Sequence, residues 1–122
     1  TVRAKLHNIL FNLLQNARHA VEQADVARKR VSVRASIERD TLRIQVCDNG
    51  VGIAGENLTR IFANGFSTKA SGGGFGLHSA ANAAAELGGR LIAGSDGPGK
   101  GATFALELHA SVPRARRTAA TR

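Results

Sequence analysis

The stretch Gly65–Leu77, GFSTKASGGGFGL, holds five glycines and a single lysine and runs directly into the alanine- and leucine-rich FGLHSAANAAAEL. Glycine-rich chain forms neither helix nor strand with much stability of its own. The alanines that follow favour a helix from about Gly76 to Leu87, closed by Gly88-Gly89. A glycine loop feeding a helix N-terminus brings exposed backbone N–H groups and the positive end of the helix dipole together, which is how backbone holds an anion. A plain linker would have little use for the lysine or for the Gly72-x-Gly74-x-Gly76 spacing.

Upstream of this loop, Leu6, Ile9, Leu10, Leu13, Ala17, Val21 and Ala24 recur with helical periodicity, predicting an amphipathic helix over about Val2 to Ala24. Its polar side carries Asn8, Asn12 and Asn16 at four-residue intervals, flanked by Gln15 and His19. Asparagine is a weak helix former, so a merely solvated face would favour Glu, Lys or Gln. Asn12 and Asn16 therefore read as amides facing a ligand.

Two alternating segments follow. Val31, Val33, Ala35 and Ile37, then Leu42, Ile44 and Val46, predict an antiparallel hairpin with one buried face and a tight link at Arg39-Asp40. The second strand ends in CDNGVGI, where Asp48 shares the inward parity of Val46. A carboxylate directed at a core needs a partner. Glu56 to Phe62 reads as a short helical turn with Phe62 and Phe66 as apolar anchors, and Arg90–Gly94 and Ala102–His109 complete the strands.

At 122 residues the chain is long enough for one core and shows no repeats; residues 1–112 read as one domain and 113–122 as a basic tail. The net charge of +8 is concentrated there: PRARRTAATR carries four arginines, and without it the balance is 13 basic to 9 acidic residues. Charge is thus no argument for nucleic acid, and neither helix-turn-helix pattern nor zinc-finger spacing is present. The lone Cys47 cannot form an internal disulfide, and no apolar run approaches the roughly 20 residues that span a bilayer. Two phosphate motifs fail. GSDGPGKG (Gly94–Gly101) ends in glycine where a P-loop needs Ser or Thr, and GGGFGL places Leu77 where a dinucleotide fingerprint has its third glycine.

What fits is an ordered set: NLLQNA (Asn12–Ala17), DNGVG (Asp48–Gly52), FANGF (Phe62–Phe66), GGGFGL (Gly72–Leu77) and GKGAT (Gly99–Thr103). Together they resemble the catalytic, ATP-binding domain of bacterial sensor histidine kinases, within the Bergerat-fold ATPase superfamily, over roughly residues 1–110. The resemblance implies an α+β fold: a two-layer α/β sandwich whose mixed, mostly antiparallel sheet carries its helices on one face. It implies that Asp48 accepts from the adenine amine, that Gly50 and Gly52 give adenine close backbone access, and that Thr103 supports Asp48 directly or through water. Ile53, Phe62 and Leu77 join the nucleotide-binding residues. Asn16 becomes the ligand of Mg2+, Lys69 and the backbone of Gly72, Gly74 and Gly76 belong to the ATP lid, and His19 stands where many relatives place a basic residue near the phosphates.

Hydrolytic relatives carry a glutamate at the position of Asn12 as general base; an amide cannot take that proton. The resemblance therefore implies transfer of the γ-phosphate to a histidine rather than turnover as an ATPase; the alternatives are a nucleotide-sensing domain or a Bergerat-fold ATPase. His7, His19, His78 and His109 lack the surroundings of a phosphoacceptor. The expected partners are accordingly ATP and ADP, an upstream dimerisation and phosphoacceptor domain, and a response regulator, with no nucleic acid and no direct membrane contact, in the cytoplasm.

Overall fold

Helix α1 (Val2–Glu22) opens the chain, its first turn capped by the Thr1 hydroxyl, which accepts from the Ala4 N–H at 3.0 Å. The computed structural model describes residues 1–62 and 76–109; the basic tail lies outside them. After α1 come β1 (Val31–Glu38), β2 (Thr41–Asp48), a 3-10 turn at Gly55–Asn57, α2 (Leu77–Glu86), β3 (Arg90–Gly94) and β4 (Ala102–His109). Arg39 and Asp40 both take positive φ, 52° and 63°, so the β1–β2 link is the two-residue turn whose twist matches the strands it joins. At the far end of α2, Gly88 adopts φ 79° and the Gly89 N–H donates to the Ala84 carbonyl at 2.8 Å, the glycine stop its sequence predicts.

The four strands lie in the order β1-β2-β4-β3, and every ladder among the described residues is antiparallel. The fold is the expected α+β two-layer sandwich, though the sheet shows no parallel pair there. Ile9, Leu13 and Ala17 of α1 and Leu77, Ala80, Ala83 and Ala84 of α2 meet Val46, Phe104 and Leu106 in one core. The alanines of α2 let the two helices lie close together, while Phe104, with Phe62 edge-on at 6.2 Å, fills the space beneath.

One expectation fails. Strand β1 has no buried face: Val33 is 57% exposed and Ile37 59%. Their register opposite Val46 and Leu42 puts them on the helical side of the sheet, as the alternation predicts. Among the described residues, however, the core gathers under the two helices on β2, β4 and β3, and β1 overhangs it.

Candidate functional site

Asp48 ends β2 on the core-facing side, opposite Ala102 of β4. Its Oδ1 accepts from the Gly50 N–H at 2.8 Å, while Oδ2 is buried without a hydrogen-bond partner among the described residues. Burial pushes this carboxyl above the usual aspartate range, against the opposing pull of the Gly50 and Ala102 backbone N–H groups. A carboxylate with one oxygen satisfied and the other buried without a donor is short of one hydrogen bond, which a ligand's N–H could supply.

The turn after Asp48 is pinned from two sides, and this is what its glycines are for. A Cβ on Gly50 would lie 2.5 Å from the Ala20 carbonyl of α1, and one on Gly52, at φ 75°, would collide with the Gly97 carbonyl. What lies against these two α-carbons is protein backbone. The Val51 N–H donates to Ala20 O at 3.2 Å, and the Val51 carbonyl accepts from the Gly99 N–H at 2.6 Å. Ser95 completes the brace: its hydroxyl accepts from Ile53 N–H at 3.0 Å and donates to Gly101 O at 2.6 Å. The GSDGPGKG segment is thus the connection between β3 and β4 that fastens the aspartate turn, consistent with its rejection as a P-loop. Asn49 secures the other flank, its Oδ1 accepting from Arg30 N–H at 2.8 Å.

Along α1, Asn8, Asn12, Asn16 and His19 are all half-buried. Gly76, the left-handed residue that opens α2 at φ 71°, lies against Asn12; a Cβ there would come within 2.6 Å of Asn12 Oδ1. Gly50 meets α1 at Ala20, Gly76 meets it at Asn12, and Asn16 lies one turn from each. Two motifs far apart in sequence are therefore brought onto one helix. Asn8 and Ser79, which the sequence reading did not select, join them: Asn12 Nδ2 donates to Asn8 Oδ1, and Asn8 Nδ2 donates to Ser79 Oγ at 3.3 Å. The four-residue asparagine spacing was the available signal for Asn8. His78 was also missed; its Nδ1 donates to the Phe62 carbonyl at 3.0 Å and joins the two ends of the segment between them.

Other expected site residues have different surroundings. Thr103 lies opposite Cys47, on the face away from the helices, and its hydroxyl donates to Cys47 Sγ at 3.5 Å. Of the two expected routes of support for Asp48, the direct one is not made here, and the one through water remains an expectation; strand alternation assigns the Asp48 face to Ala102, which has no hydroxyl. Leu77 is a buried core side chain, and Ile53 and Phe62 pack partly buried against the same core. Lys69, Gly72 and Gly74 lie outside the described residues.

No group of three or more His, Cys, Asp or Glu side chains that could hold a metal occurs among the described residues. The donor set is instead a line of neutral amides beside a glycine, which suits a hard cation that keeps most of its ligands from phosphate and water.

An antiparallel sheet under two helices, an open buried carboxylate and an amide line meeting a glycine helix start together define a nucleotide-binding α/β sandwich. The chain belongs to the family described as histidine kinase-, DNA gyrase B-, and HSP90-like ATPase, which matches residues 1–112. It is 39% identical over 110 residues to the sensor histidine kinase ZraS of Escherichia coli K12, a match covering 90% of this chain and 23% of the relative. Similarity to the aerobic respiration control sensor protein ArcB of the same organism is 37% over 113 residues, 87% of this chain and 14% of that one. The chain thus spans about a quarter or less of these relatives. Among solved structures, the catalytic domain of histidine kinase ThkA superposes with TM-score 0.71 at 27% identity, covering 88% of this chain and 67% of the other. Full-length ShkA in complex with AMPPNP superposes with TM-score 0.69 at 30% identity, covering 85% and 21%. No helix among the described residues is long and apolar enough to cross a membrane.

Proposed function

We propose that this chain binds ATP with Mg2+ and donates the γ-phosphate to a histidine on a separate phosphoacceptor domain of the same kinase, ahead of a response regulator. The observation that carries the nucleotide half of this reading is Asp48, whose buried Oδ2 has no hydrogen-bond partner among the described residues. The exocyclic amine of adenine supplies the missing donor; the carbonyl that guanine bears at that position would meet the carboxylate with like polarity. Asn16 is the metal ligand, with phosphate and water completing the shell. His19 serves the phosphates, and Lys69 with the backbone of Gly72, Gly74 and Gly76 belongs to the ATP lid.

The transfer half rests on Asn12. It stands one turn before Asn16 and offers an amide where hydrolysis needs a carboxylate to deprotonate water. A neutral residue there leaves the phosphate for an imidazole nucleophile. Calorimetric titration with ATP, ADP and GTP, with and without magnesium, tests the first half; adenine nucleotides alone should bind, and ATP more tightly with the metal. Asn16→Ala should remove the metal-dependent gain. Asn12→Glu should raise ATP hydrolysis and lower transfer to a supplied histidine domain. Normal ATP affinity with no added hydrolysis in that variant would overturn the role given to Asn12.

A further inference from the structure

Asn8 begins the asparagine line one turn before Asn12, facing the first turn of α2. An asparagine amide has a donor end and an acceptor end of nearly the same shape, and its chemistry toward a ligand depends on which end faces out. In this structure both amides of the pair are directed. Ser79 Oγ accepts from Asn8 Nδ2 at 3.3 Å, and Asn8 Oδ1 accepts from Asn12 Nδ2. With Asn12 Nδ2 so engaged, Asn12 Oδ1 lies beside Gly76, where a Cβ would come within 2.6 Å of it.

We propose that Asn8, itself held by the Ser79 hydroxyl, is a positioning residue for Asn12. The hydrogen-bond chain from the first turn of α2 to α1 holds Asn12 as an acceptor. Its acceptor end faces an imidazole N–H, a water or a cation and withholds its donor from phosphate oxygens. Ser79 lies three residues after Gly76, so the helix start that lies against Asn12 also carries the hydroxyl that holds Asn8. This inference rests on the role proposed for Asn12 and deepens it.

The test uses the 15N-labelled chain, with the Asn12 side-chain amide signals identified by their loss in Asn12→Ala. Ser79→Ala, which removes no contact of Asn12 itself, should shift those signals, and Asn8→Leu should abolish the protection of the bonded proton. Asn8→Asp keeps an acceptor for Asn12 and accepts from the Ser79 hydroxyl, so it should preserve that protection. In phosphotransfer to a supplied histidine domain, Asn8→Leu should lower kcat about three- to ten-fold, the range of one net hydrogen bond, with ATP affinity unchanged, and Asn8→Asp should restore most of it. An Asn12 amide unmoved by Asn8→Leu would overturn the proposal, as would equal behaviour of Asn8→Leu and Asn8→Asp. If Asn12→Ala impairs transfer while Asn8→Leu does not, positioning fails and the role of Asn12 stands. If the amide signals respond as expected while Asn12→Ala transfers normally, the hydrogen-bond chain stands and the role of Asn12 fails.

Discussion

Asp48→Asn separates binding from stability, because the two should move in opposite directions. The Gly50 N–H lies 2.8 Å from Oδ1 and requires an acceptor, so the new amide keeps its oxygen there and puts its NH2 where Oδ2 was. A donor then faces the adenine amine, itself a donor. Loss of one hydrogen bond to a charged acceptor costs about 1.5–3 kcal/mol. At about 1.4 kcal/mol per decade, ADP should bind about 10- to 150-fold more weakly. A purine with a carbonyl at position 6, such as that of IDP, gains the donor that the parent denies it, so the ratio of ADP to IDP affinity should fall further still.

Stability moves the other way. Burial raises the Asp48 pKa in the folded chain, so the ionised carboxylate subtracts stability once pH exceeds the ordinary aspartate range. Nucleotide-free Asp48→Asn should therefore melt at or above the parent temperature near neutral pH. That advantage should shrink as acidification protonates Asp48 in the parent. Calorimetric titration of both nucleotides, with melting curves across pH, measures both arms. Unchanged ADP affinity would refute the adenine assignment, and weaker binding accompanied by lower melting at pH 7 would make Asp48 a structural residue instead.

Gly76→Ala forces a side chain into φ 71° against Asn12 Oδ1, so it should destabilise the fold by about 1–2 kcal/mol and weaken ATP binding; a melting temperature equal to the parent's would contradict that contact. Ala102→Thr places a hydroxyl on the Asp48 face, donating to Oδ2 and lowering that carboxyl's pKa, and NMR titration of Asp48 should show the fall. Phe104→Ala should cost about 3–5 kcal/mol in denaturant unfolding, whereas Ile37→Thr, on the overhanging strand, should stay within about 0.5 kcal/mol. Equal losses for the two would place β1 inside the cooperative core.

The elements were legible in the sequence because each rests on short-range physics. The four-residue recurrence of Ile9, Leu13, Ala17 and Val21 marks the buried stripe of α1, and all four are buried. Two-residue alternation set β1, β2 and β4, and Gly88 stopped α2 for want of a Cβ. Alternation also turned Asp48 inward, since parity follows from pleating alone.

What needed the tertiary structure was every statement about which residues meet. Alternation assigns Val33 and Ile37 a face, but whether a helix covers it depends on how many helices there are and where they pack. The same parity rule that turned Asp48 inward applies to β4, but only the cross-strand register sets Ala102 rather than Thr103 opposite Asp48. Gly50 and Gly52 were conspicuous as glycines, yet what approaches them is Ala20 and Gly97, 30 and 45 residues away along the chain. Ser95, Asn8 and Ser79 carried no signal of their own beyond the asparagine spacing. A hydroxyl or amide acquires its function from the partner that long-range packing brings within 3 Å, and nothing local to those residues names that partner.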